Sequence, residues 1–290
     1  MSKTDLSALT RPSGAFAMLA IDQRESMRAM FAEKQTGPVT DQQLSDFKVA
    51  ALKELTPYAS AVLIDPQFAW RRAIDEKAVA PRCGLIAAAD HFSARGDEIV
   101  GDSCINADLD LAEIKKDGGV ALKLLVIYRP DEPAEGRIAL VDDFVAKCRA
   151  AGLISLIEPV SRKPWDGRAC DLNEGIFAAA KELGSRGADI YKAEVPSHGE
   201  GTEAEIRSQC ERLTSLVASP WVVLSSGVAP DHFPQAVEWA CKGGARGFLA
   251  GRAVWRGVIG AGDVAAGLRE DAVGRLQRLG EVVDRAVVPG

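Results

Sequence analysis

The stretch GADIYKAEVP (187–196) decides how the rest of the chain is interpreted, because it places Lys192 within a short β-rich run. Apolar and polar residues alternate through it and Pro196 ends it, so the pattern predicts a buried strand that ends at a loop. Burial removes water from an ammonium group and favours its neutral form, which can attack a carbonyl to form a Schiff base. The alternative is that the Lys192 side chain extends to solvent or pairs with Glu194.

Seven further β-rich runs are spread along the chain, separated by longer amphipathic stretches that are typical of helices. The eight runs cover residues 15–22, 60–65, 84–90, 121–128, 153–160, 189–196, 220–227 and 246–251. Apolar strands that alternate with helices indicate a parallel sheet covered on both faces, and eight such units close into an α/β fold, the (β/α)8 TIM barrel. A doubly wound open sheet is the alternative, but no GxGxxG follows the first run.

Composition and length fit one globular domain. Hydrophobic residues make up 47% of the chain, charged residues 26%, and the net charge is -6. This charge argues against general binding to nucleic acid or to anionic membranes, which need a positive surface. The sequence shows neither an apolar signal-type segment nor a run of membrane-spanning length, so we expect a cytoplasmic protein. No linker divides the 290 residues, and we expect a single domain over 1–290.

Two helices bear on assembly and on barrel closure. A long helix is predicted over 41–56, with Asp41 at its N-cap. A final helix over 263–287 either closes the barrel or packs on a partner. We expect a homo-oligomer, although the region of Trp239 and Trp255 suits an interface as well as a core.

Cysteine and histidine spacing does not indicate a metal site. The six cysteines are scattered without a CxxC pair, and the three histidines lie far apart without HxH or HExxH spacing. We therefore expect neither a zinc site nor a disulfide framework, and a mechanism that uses no metal or other cofactor.

Polar side chains, together with two glycines, collect at the carboxyl ends of the predicted strands, where barrels of this class form their active sites. In chain order they are Asp22, Gln23, Arg24, Asp65, Gln67, Asp90, Lys123, Glu158, Lys192, Ser225, Ser226, Gly227, Gly251 and Arg252. Burying so many polar groups is costly unless they satisfy one another or a ligand. Asp65 and Asp90 are alternatively N-caps of loops.

Four of these residues suggest the chemistry. The ammonium groups of Lys123 and Lys192 disfavour each other's charge, which favours one as nucleophile and leaves the other as an electrostatic helper. We expect the apolar setting of Glu158 to raise the pKa of its carboxyl so that it transfers protons near neutrality, while it also neutralises a lysine. Asp22 either orients a substrate hydroxyl or balances the lysines.

The turns after the last two predicted strands indicate a phosphate site. SSG (225–227) and AGR (250–252) supply backbone N–H groups, hydroxyls and a guanidinium on the adjacent strands where many barrels bind phosphate. The alternative is a pair of tight turns and a surface ion pair. We favour phosphate, so the expected ligand is a phosphorylated metabolite.

Long segments of the chain carry a family resemblance. They are GAFAMLAIDQRESMRAMF, DFKVAALKELTPYASAVLID, DGGVALKLLV, GLISLIEPV, AAKELGSRGADIYKAEVP, and PWVVLSSGV through GFLAGRAVW. These segments resemble the sulfofructose-phosphate aldolases of bacterial sulfoquinovose degradation, within the metal-independent, Schiff-base aldolases that include tagatose-bisphosphate aldolase. The resemblance covers almost the whole chain and is weakest at both termini and around 161–171.

The resemblance implies roles for the residues at the strand ends. Lys192 forms the Schiff base with the ketone carbon, Glu158 is the acid/base residue, and Asp22 and Lys123 are accessory polar residues. The implied binding residues are Ser225, Ser226, Gly227, Gly251 and Arg252 for the phosphate of the dihydroxyacetone phosphate moiety, and Gln23 and Arg24 for the sulfonate or second phosphate at the far end of the sugar.

The implied reaction is the retro-aldol cleavage of 6-deoxy-6-sulfofructose 1-phosphate to dihydroxyacetone phosphate and 3-sulfolactaldehyde. An alternative keeps the chemistry and changes the substrate to tagatose or fructose 1,6-bisphosphate, which carries more negative charge at its far end. A phosphosugar-binding protein without catalysis is a further alternative, but it would not need Lys123, Glu158 and Lys192 together.

Overall fold

Eight parallel strands form a closed barrel in the computed structural model, which describes residues 4–287. The strands are β1 (Phe16–Ile21), β2 (Ala61–Ile64), β3 (Gly84–Ala88), β4 (Asp90–Arg95), β5 (Glu98–Ile105), β6 (Gly119–Tyr128), β7 (Ile154–Ser161), β8 (Ile190–Ala193), β9 (Trp221–Val223) and β10 (Gly247–Ala250). All except β4 and β5 belong to the barrel, and pairing of β1 with β10 closes it. The predicted (β/α)8 barrel is confirmed, each of the eight predicted runs overlaps one barrel strand, and the open sheet is excluded. The predicted domain bounds, 1–290, extend past the described residues at both ends.

Helices surround the barrel. They are α1 (Glu25–Ala32), α2 (Asp41–Leu55), α3 (Arg71–Asp75), α4 (Leu111–Lys116), α5 (Ala134–Ala151), α6 (Leu172–Leu183), α7 (Glu203–Leu216), α8 (Phe233–Lys242), α9 (Arg252–Trp255), α10 (Val264–Gly267) and α11 (Val273–Ala286). Helix α2 confirms the predicted long helix, but its N-cap is Thr40 and not Asp41, because the Thr40 hydroxyl accepts the Gln43 N–H at 3.1 Å. The predicted final helix is divided into α10 and α11 by a π-helical turn, Leu268–Ala272.

An apolar layer fills the lower interior of the barrel. Alternate strand residues point inward, and those in this layer are Phe16, Met18, Ala20, Ala61, Leu63, Ile86, Ala88, Ala121, Ile154, Leu156, Ile190, Val222 and Leu249. Leu9, on a 3₁₀ turn at Ser7–Leu9, packs into the same layer and closes the amino-terminal end of the barrel. The remaining strand residues pack against the helices. Inward-facing residues nearer the carboxyl ends therefore emerge above an apolar floor.

An antiparallel hairpin, β4–β5, follows β3 and was not predicted from the sequence. The predicted third strand extends to residue 90, whereas β3 ends at Ala88 and Asp90 begins the hairpin. The Ser103 hydroxyl donates to the Leu125 carbonyl oxygen at 2.6 Å, which attaches β5 to β6. The hairpin thus lies at the carboxyl end of the barrel, beside the predicted site.

Trp255 belongs to the core, which resolves one alternative left open by the sequence. It is fully buried, its indole N–H donates to the Ala20 carbonyl oxygen at 2.9 Å, and its ring packs edge-to-face on Phe47. Trp239 is partly buried against the same core. Across residues 4–287, no helix has the length and apolar character needed to span a bilayer.

A fully buried ion pair joins α2 to the end of β2. The Lys48 ammonium contacts the Asp65 carboxylate, and neither side chain is exposed. Burial lowers the pKa of Lys48, while the charge of Asp65 opposes this shift. Asp65 also accepts the Phe68 N–H at 2.7 Å. It therefore acts as the N-cap of the π-helical turn at Pro66–Trp70, the alternative role left open for it.

Replacing Lys48 tests the contribution of this pair. Lys48→Met is expected to lower the free energy of unfolding by about 3–5 kcal/mol, because it leaves the Asp65 carboxylate buried without a counter-ion. The measurement is urea unfolding at pH 7. Lys53→Met on the same helix is the control: it removes an exposed ion pair with Glu76 and should cost much less. Equal losses in the two variants would contradict the prediction.

Candidate active site

Polar side chains continue the inward-facing rows of the barrel strands above the apolar floor. The residues that stand two positions beyond an inward apolar residue are Asp22, Asp65, Asp90, Lys123, Glu158 and Lys192, and all are buried. Because strand side chains alternate, this spacing continues the inward rows, and only Asp65 among the six is drawn to a helix, by Lys48 of α2. The carboxyl ends of five strands therefore bring three carboxylates, those of Asp22, Asp90 and Glu158, and two ammonium groups into one central space.

Lys123 lies at the centre of this space and contacts three carboxylates. Its ammonium lies 2.9 Å from Asp22 Oδ2, 3.0 Å from Asp90 Oδ2 and 2.7 Å from Glu158 Oε2. The other oxygen of Glu158 lies 2.8 Å from Lys192 Nζ. Lys192 is 4% exposed, so both alternatives considered for it, extension to solvent and pairing with Glu194, are wrong.

A continuous set of ion pairs, here named the charge cluster, results from these contacts. Its members are Asp22, Arg24, Asp90, Lys123, Glu158 and Lys192. Arg24 joins it through the Asp90 carboxylate, so three cations face three carboxylates and the formal charges balance. Asp90 is thus a member of the cluster and not the N-cap of a loop. In residues 4–287, no His, Cys, Asp or Glu side chains form a group of three or more that could hold a metal ion.

The charge cluster sets the ionisation of its members. Burial acts to lower the pKa of Lys123, but Asp22, Asp90 and Glu158 outweigh it and raise that pKa well above its ordinary value. Burial acts to raise the pKa of Glu158 and of Asp22, but the two lysines outweigh it and lower both values. The expectation that the two lysines lower each other's pKa is therefore wrong for Lys123, and the raised pKa expected for Glu158 is wrong as well, because the ammonium groups face carboxylates.

The two turns predicted to hold phosphate follow β9 and β10, which are adjacent in the barrel. Gly227 has a φ of +81°, and a Cβ there would lie 2.7 Å from the His198 ring. A Cβ on Gly251 would lie 2.3 Å from the Ala20 carbonyl oxygen, so only glycine permits this approach of β10 to β1. Ser225 is buried and Ser226 is partly buried at the same rim. The binding roles of these residues stay predictions.

Arg252 is a cation without a carboxylate partner. Among residues 4–287, no Asp or Glu oxygen lies within 4.0 Å of its guanidinium, so the surface ion pair considered from the sequence is absent. Burial lowers the pKa of Arg252, while the charges of Glu158 and Asp22 oppose this shift. A partly buried guanidinium that faces the charge cluster and has no partner is suited to bind an anionic group of a substrate.

The two residues predicted to bind the far end of the sugar differ in whether their polar atoms already have partners in the protein. Arg24 donates to the Asp90 carbonyl oxygen at 2.8 Å and stacks on the Phe92 ring at 4.2 Å, so its charge is already committed. Gln23 Oε1 is buried and accepts no hydrogen bond within the described chain. A cavity of about 630 Å³ opens between α1 and the hairpin. Its lining includes Arg24, Ser26, Arg28, Gln67, His91 and Phe92.

Three residues at this end of the barrel were missed by the sequence analysis. Glu194 continues the inward row of Ile190 and Lys192, a spacing that was available in the sequence. Arg162 follows β7 directly, and its charge acts on both Glu194 and Arg252. His198 packs against Gly227 with a positive φ of 50°. That contact joins loops distant in sequence, so no local pattern indicates it.

Solved structures with this fold include Schiff-base aldolases. An archaeal fructose-1,6-bisphosphate aldolase, whose catalytic lysine is bound to the carbinolamine intermediate, has a TM-score of 0.64 at 16% identity, over 95% of this chain and 96% of that one. The fructose-bisphosphate aldolase of Slackia heliotrinireducens has a TM-score of 0.65 at 16% identity, over 95% and 88% of the two chains. Likeness at this identity establishes the fold.

Sequence relatives establish the class and the family. The tagatose 1,6-diphosphate aldolase of Listeria monocytogenes serotype 4a (strain HCC23) is 30% identical, over 98% of this chain and 92% of that protein. Tagatose 1,6-diphosphate aldolase 1 of Streptococcus pyogenes serotype M3 (strain SSI-1) is 30% identical, over 85% and 82%. With the barrel and its buried lysine, these relatives define a class I aldolase, a carbon–carbon lyase. The family model described as DeoC/LacD family aldolase matches residues 16–257, and the chain belongs to that family.

Replacing Lys123 tests the hub of the charge cluster. Lys123→Met is expected to lower the free energy of unfolding at pH 7 by about 3–5 kcal/mol, because three buried carboxylates lose their central cation. The loss should shrink between pH 7 and pH 5. In the wild type, the lowered pKa values of Asp22 and Glu158 keep their stabilisation constant until the pH falls below the unfolded values near about 4. In the variant, the unpaired carboxylates take up protons more readily when folded, so its stability rises as the pH falls.

Urea unfolding at pH 5, 6 and 7 provides the measurement. Lys147→Met is the control, because it removes only an exposed pair with Asp143 and its small effect should not depend on pH in this range. A loss for Lys123→Met that is as large at pH 5 as at pH 7 would show that the three carboxylates do not depend on this ammonium.

Proposed function

We propose that this chain cleaves 6-deoxy-6-sulfofructose 1-phosphate to dihydroxyacetone phosphate and 3-sulfolactaldehyde, a step of sulfoquinovose degradation. The observation that carries the aldolase chemistry is the 2.8 Å contact between Lys192 Nζ and Glu158 Oε1 inside the barrel. An amine next to a carboxylate that can take its proton is the arrangement that Schiff-base formation needs. A cytoplasmic location and a homo-oligomeric state belong to the same proposal.

Lys192 is the nucleophile in this proposal. Its ammonium gives a proton to Glu158, and the neutral amine attacks the ketone carbon to form a carbinolamine. The carbinolamine hydroxyl takes up one proton and leaves as water, which yields a protonated imine. Glu158 gives up the proton that it took from Lys192 in the same step and is again a carboxylate. The imine withdraws electrons, so the bond between C3 and C4 breaks as the C4 hydroxyl gives its proton to the Glu158 carboxylate. The aldehyde leaves, the enamine is reprotonated at C3, and hydrolysis of the imine releases dihydroxyacetone phosphate and restores Lys192.

The charge cluster supports this sequence of steps. A protonated imine carries the same single positive charge as the ammonium that it replaces, so the balance of cations and carboxylates is unchanged when it forms. Lys123 holds Asp22 and Glu158 in place, and it contacts the oxygen of Glu158 that Lys192 does not. Asp22 is thereby kept ionised at the rim, where it can accept a hydrogen bond from a substrate hydroxyl.

The charges at the two ends of the site favour one phosphate and one weaker anion. Arg252 has no carboxylate partner and is assigned to the phosphate, together with the turn at 225–227. At the far end, Arg24 is committed to Asp90, and Arg28 lies 2.9 Å from a Glu25 oxygen and also pairs with Asp41. A sulfonate carries one negative charge and a phosphate nearly two, so this neutralised end suits the sulfonate better.

The second candidate function is cleavage of tagatose or fructose 1,6-bisphosphate. The 30% identity to proteins named tagatose 1,6-diphosphate aldolase favours it. The mechanism at Lys192 would be the same, because only the group carried by C6 differs. The two candidates therefore differ at the far end of the site and not in its chemistry.

Borohydride reduction tests the nucleophile. With dihydroxyacetone phosphate in excess EDTA, reduction is expected to fix one adduct per chain on the peptide that contains Lys192, as read by mass spectrometry. Lys192→Met should form no adduct, while Lys181→Met, at an exposed lysine of α6, should form it normally. An adduct on another lysine, or activity that is lost in EDTA and restored by a divalent ion, would exclude the proposed mechanism.

Substrate competition tests the far end. The kcat/KM for 6-deoxy-6-sulfofructose 1-phosphate is expected to exceed that for either bisphosphate by at least about 10-fold. A factor of this size corresponds to the loss of one charged hydrogen bond at the far end of the site. Arg252→Gln should lower all three values by a similar factor of about 10 to 100, because every substrate shares the phosphate at C1. A preference for a bisphosphate in the wild type would establish the second candidate instead.

A further inference from the structure

Glu194 is a buried carboxyl group beside the charge cluster that has no cation of its own. It stands two positions after Lys192 in the inward row of β8 and is 7% exposed. Its Oε2 accepts the backbone N–H of Ser161 at 2.8 Å. Within residues 4–287, no lysine or arginine nitrogen lies within 4.0 Å of its carboxylate oxygens. The three cations of the cluster are all paired with other carboxylates.

The surroundings of Glu194 raise the pKa of its carboxyl group. Burial is the largest effect and raises the pKa of Glu194 to about 7, although the Ser161 N–H and the charge of Arg162 act to lower it. Glu158 on β7 adds a further rise because it is a nearby negative charge. On its own strand, Tyr191 stays neutral, since burial and the charge of Glu194 raise the pKa of its phenol. Glu194 therefore gains a proton as the pH falls through about 7, well above the range in which an ordinary glutamate is protonated.

Glu158 has the opposite property. It lies between the ammonium groups of Lys123 and Lys192, which lower its pKa and keep it a carboxylate. Such a group takes protons from Lys192 and from a substrate hydroxyl, but it is a carboxylate at rest and does not enter the reaction with a proton of its own. Schiff-base formation also needs an acid, because the hydroxyl of the carbinolamine leaves as water only when it receives a proton.

We propose that Glu194 donates the proton that converts the carbinolamine on Lys192 into an imine. The carboxyl proton moves to the hydroxyl, the carbon–oxygen bond breaks, and water leaves. The nitrogen lone pair forms the carbon–nitrogen double bond, which leaves a positive imine and a Glu194 carboxylate. Glu194 then regains the proton that Glu158 took from the Lys192 ammonium, so protons balance over the step. This inference rests on the proposed function, because it assumes a Schiff base at Lys192.

A structural role for Glu194 predicts different behaviour. In that case, its only task is to accept the Ser161 N–H beyond the last pairing of β7 with β8, at Ile157 and Tyr191. Glu194→Gln keeps an oxygen that accepts this N–H but removes the titrating proton. The substitution therefore separates the two roles, and Glu194→Asp provides a second variant that retains a titrating carboxyl group.

The experiment measures how fast the imine forms. Each protein is mixed with dihydroxyacetone phosphate at pH values from 6 to 8.5, quenched with borohydride at successive times, and analysed for the adduct on Lys192. In the wild type, the rate is expected to fall as the pH rises through about 7, because the donor loses its proton. Glu194→Gln should be slower at pH 6.5 by about 100-fold or more and should lack this fall. Glu200→Gln, which makes the same change at an exposed residue after β8, should behave as the wild type.

Each possible outcome decides for or against the proposed role of Glu194. A wild-type rate that does not fall between pH 6 and 8.5 overturns the inference without any variant. A Glu194→Gln protein that forms the imine at the wild-type rate with the same fall shows that the residue only completes the strand pairing. If Glu194→Gln does not fold, as judged by urea unfolding, Glu194→Asp must retain the fall with pH or the inference fails. If the wild type forms no adduct on Lys192, the proposed function itself fails, and the inference with it.

Discussion

The contact of one buried ammonium, that of Lys123, with three carboxylates is the interaction on which the site depends. A lysine inside a barrel is costly unless its charge is matched, and here Asp22, Asp90 and Glu158 match it from three different strands or loops. Those carboxylates would in turn repel one another without Lys123. Lys192, the proposed nucleophile, and the outer Arg24 complete the balance, so Lys192 is held by a set of side chains whose formal charges sum to zero.

Much of this arrangement could be predicted from the sequence. The eight apolar runs predict the eight strands of the barrel, and the alternation from Ile190 to Lys192 indicates that this lysine points inward. Lys123, Glu158 and Asp22 share that spacing, and they do meet. The direction of the Glu158 pKa could not be predicted, because it depends on distances between strands. Burial and opposite charge act in opposite directions on the same carboxyl, and only the 2.7 and 2.8 Å contacts decide which prevails.

Other features could not be predicted from local sequence patterns, because they also depend on contacts between segments that are distant in the chain. The hairpin β4–β5 interrupts the alternation of strands and helices at Asp90, which looks from the sequence like the end of a strand or a cap. Only in the folded chain does the Asp90 carboxylate contact Lys123, Arg24 and the Leu125 N–H together. Arg24 is consequently less available to a substrate than its position after β1 suggests. Glu194, by contrast, was within reach of the pattern, since it extends a row already identified at Lys192.

The apolar floor beneath the cluster has a consequence for the electric field of the site. Leu9 and the layer of inward apolar side chains lie beneath the six charges, so the space under them has a low polarisability. The electric field of these charges is little screened on that side, so it acts on a substrate bound at the carboxyl ends of the strands. A polar bond that breaks there changes its dipole against protein groups that are already oriented, and the barrel does not have to reorganise to stabilise that change.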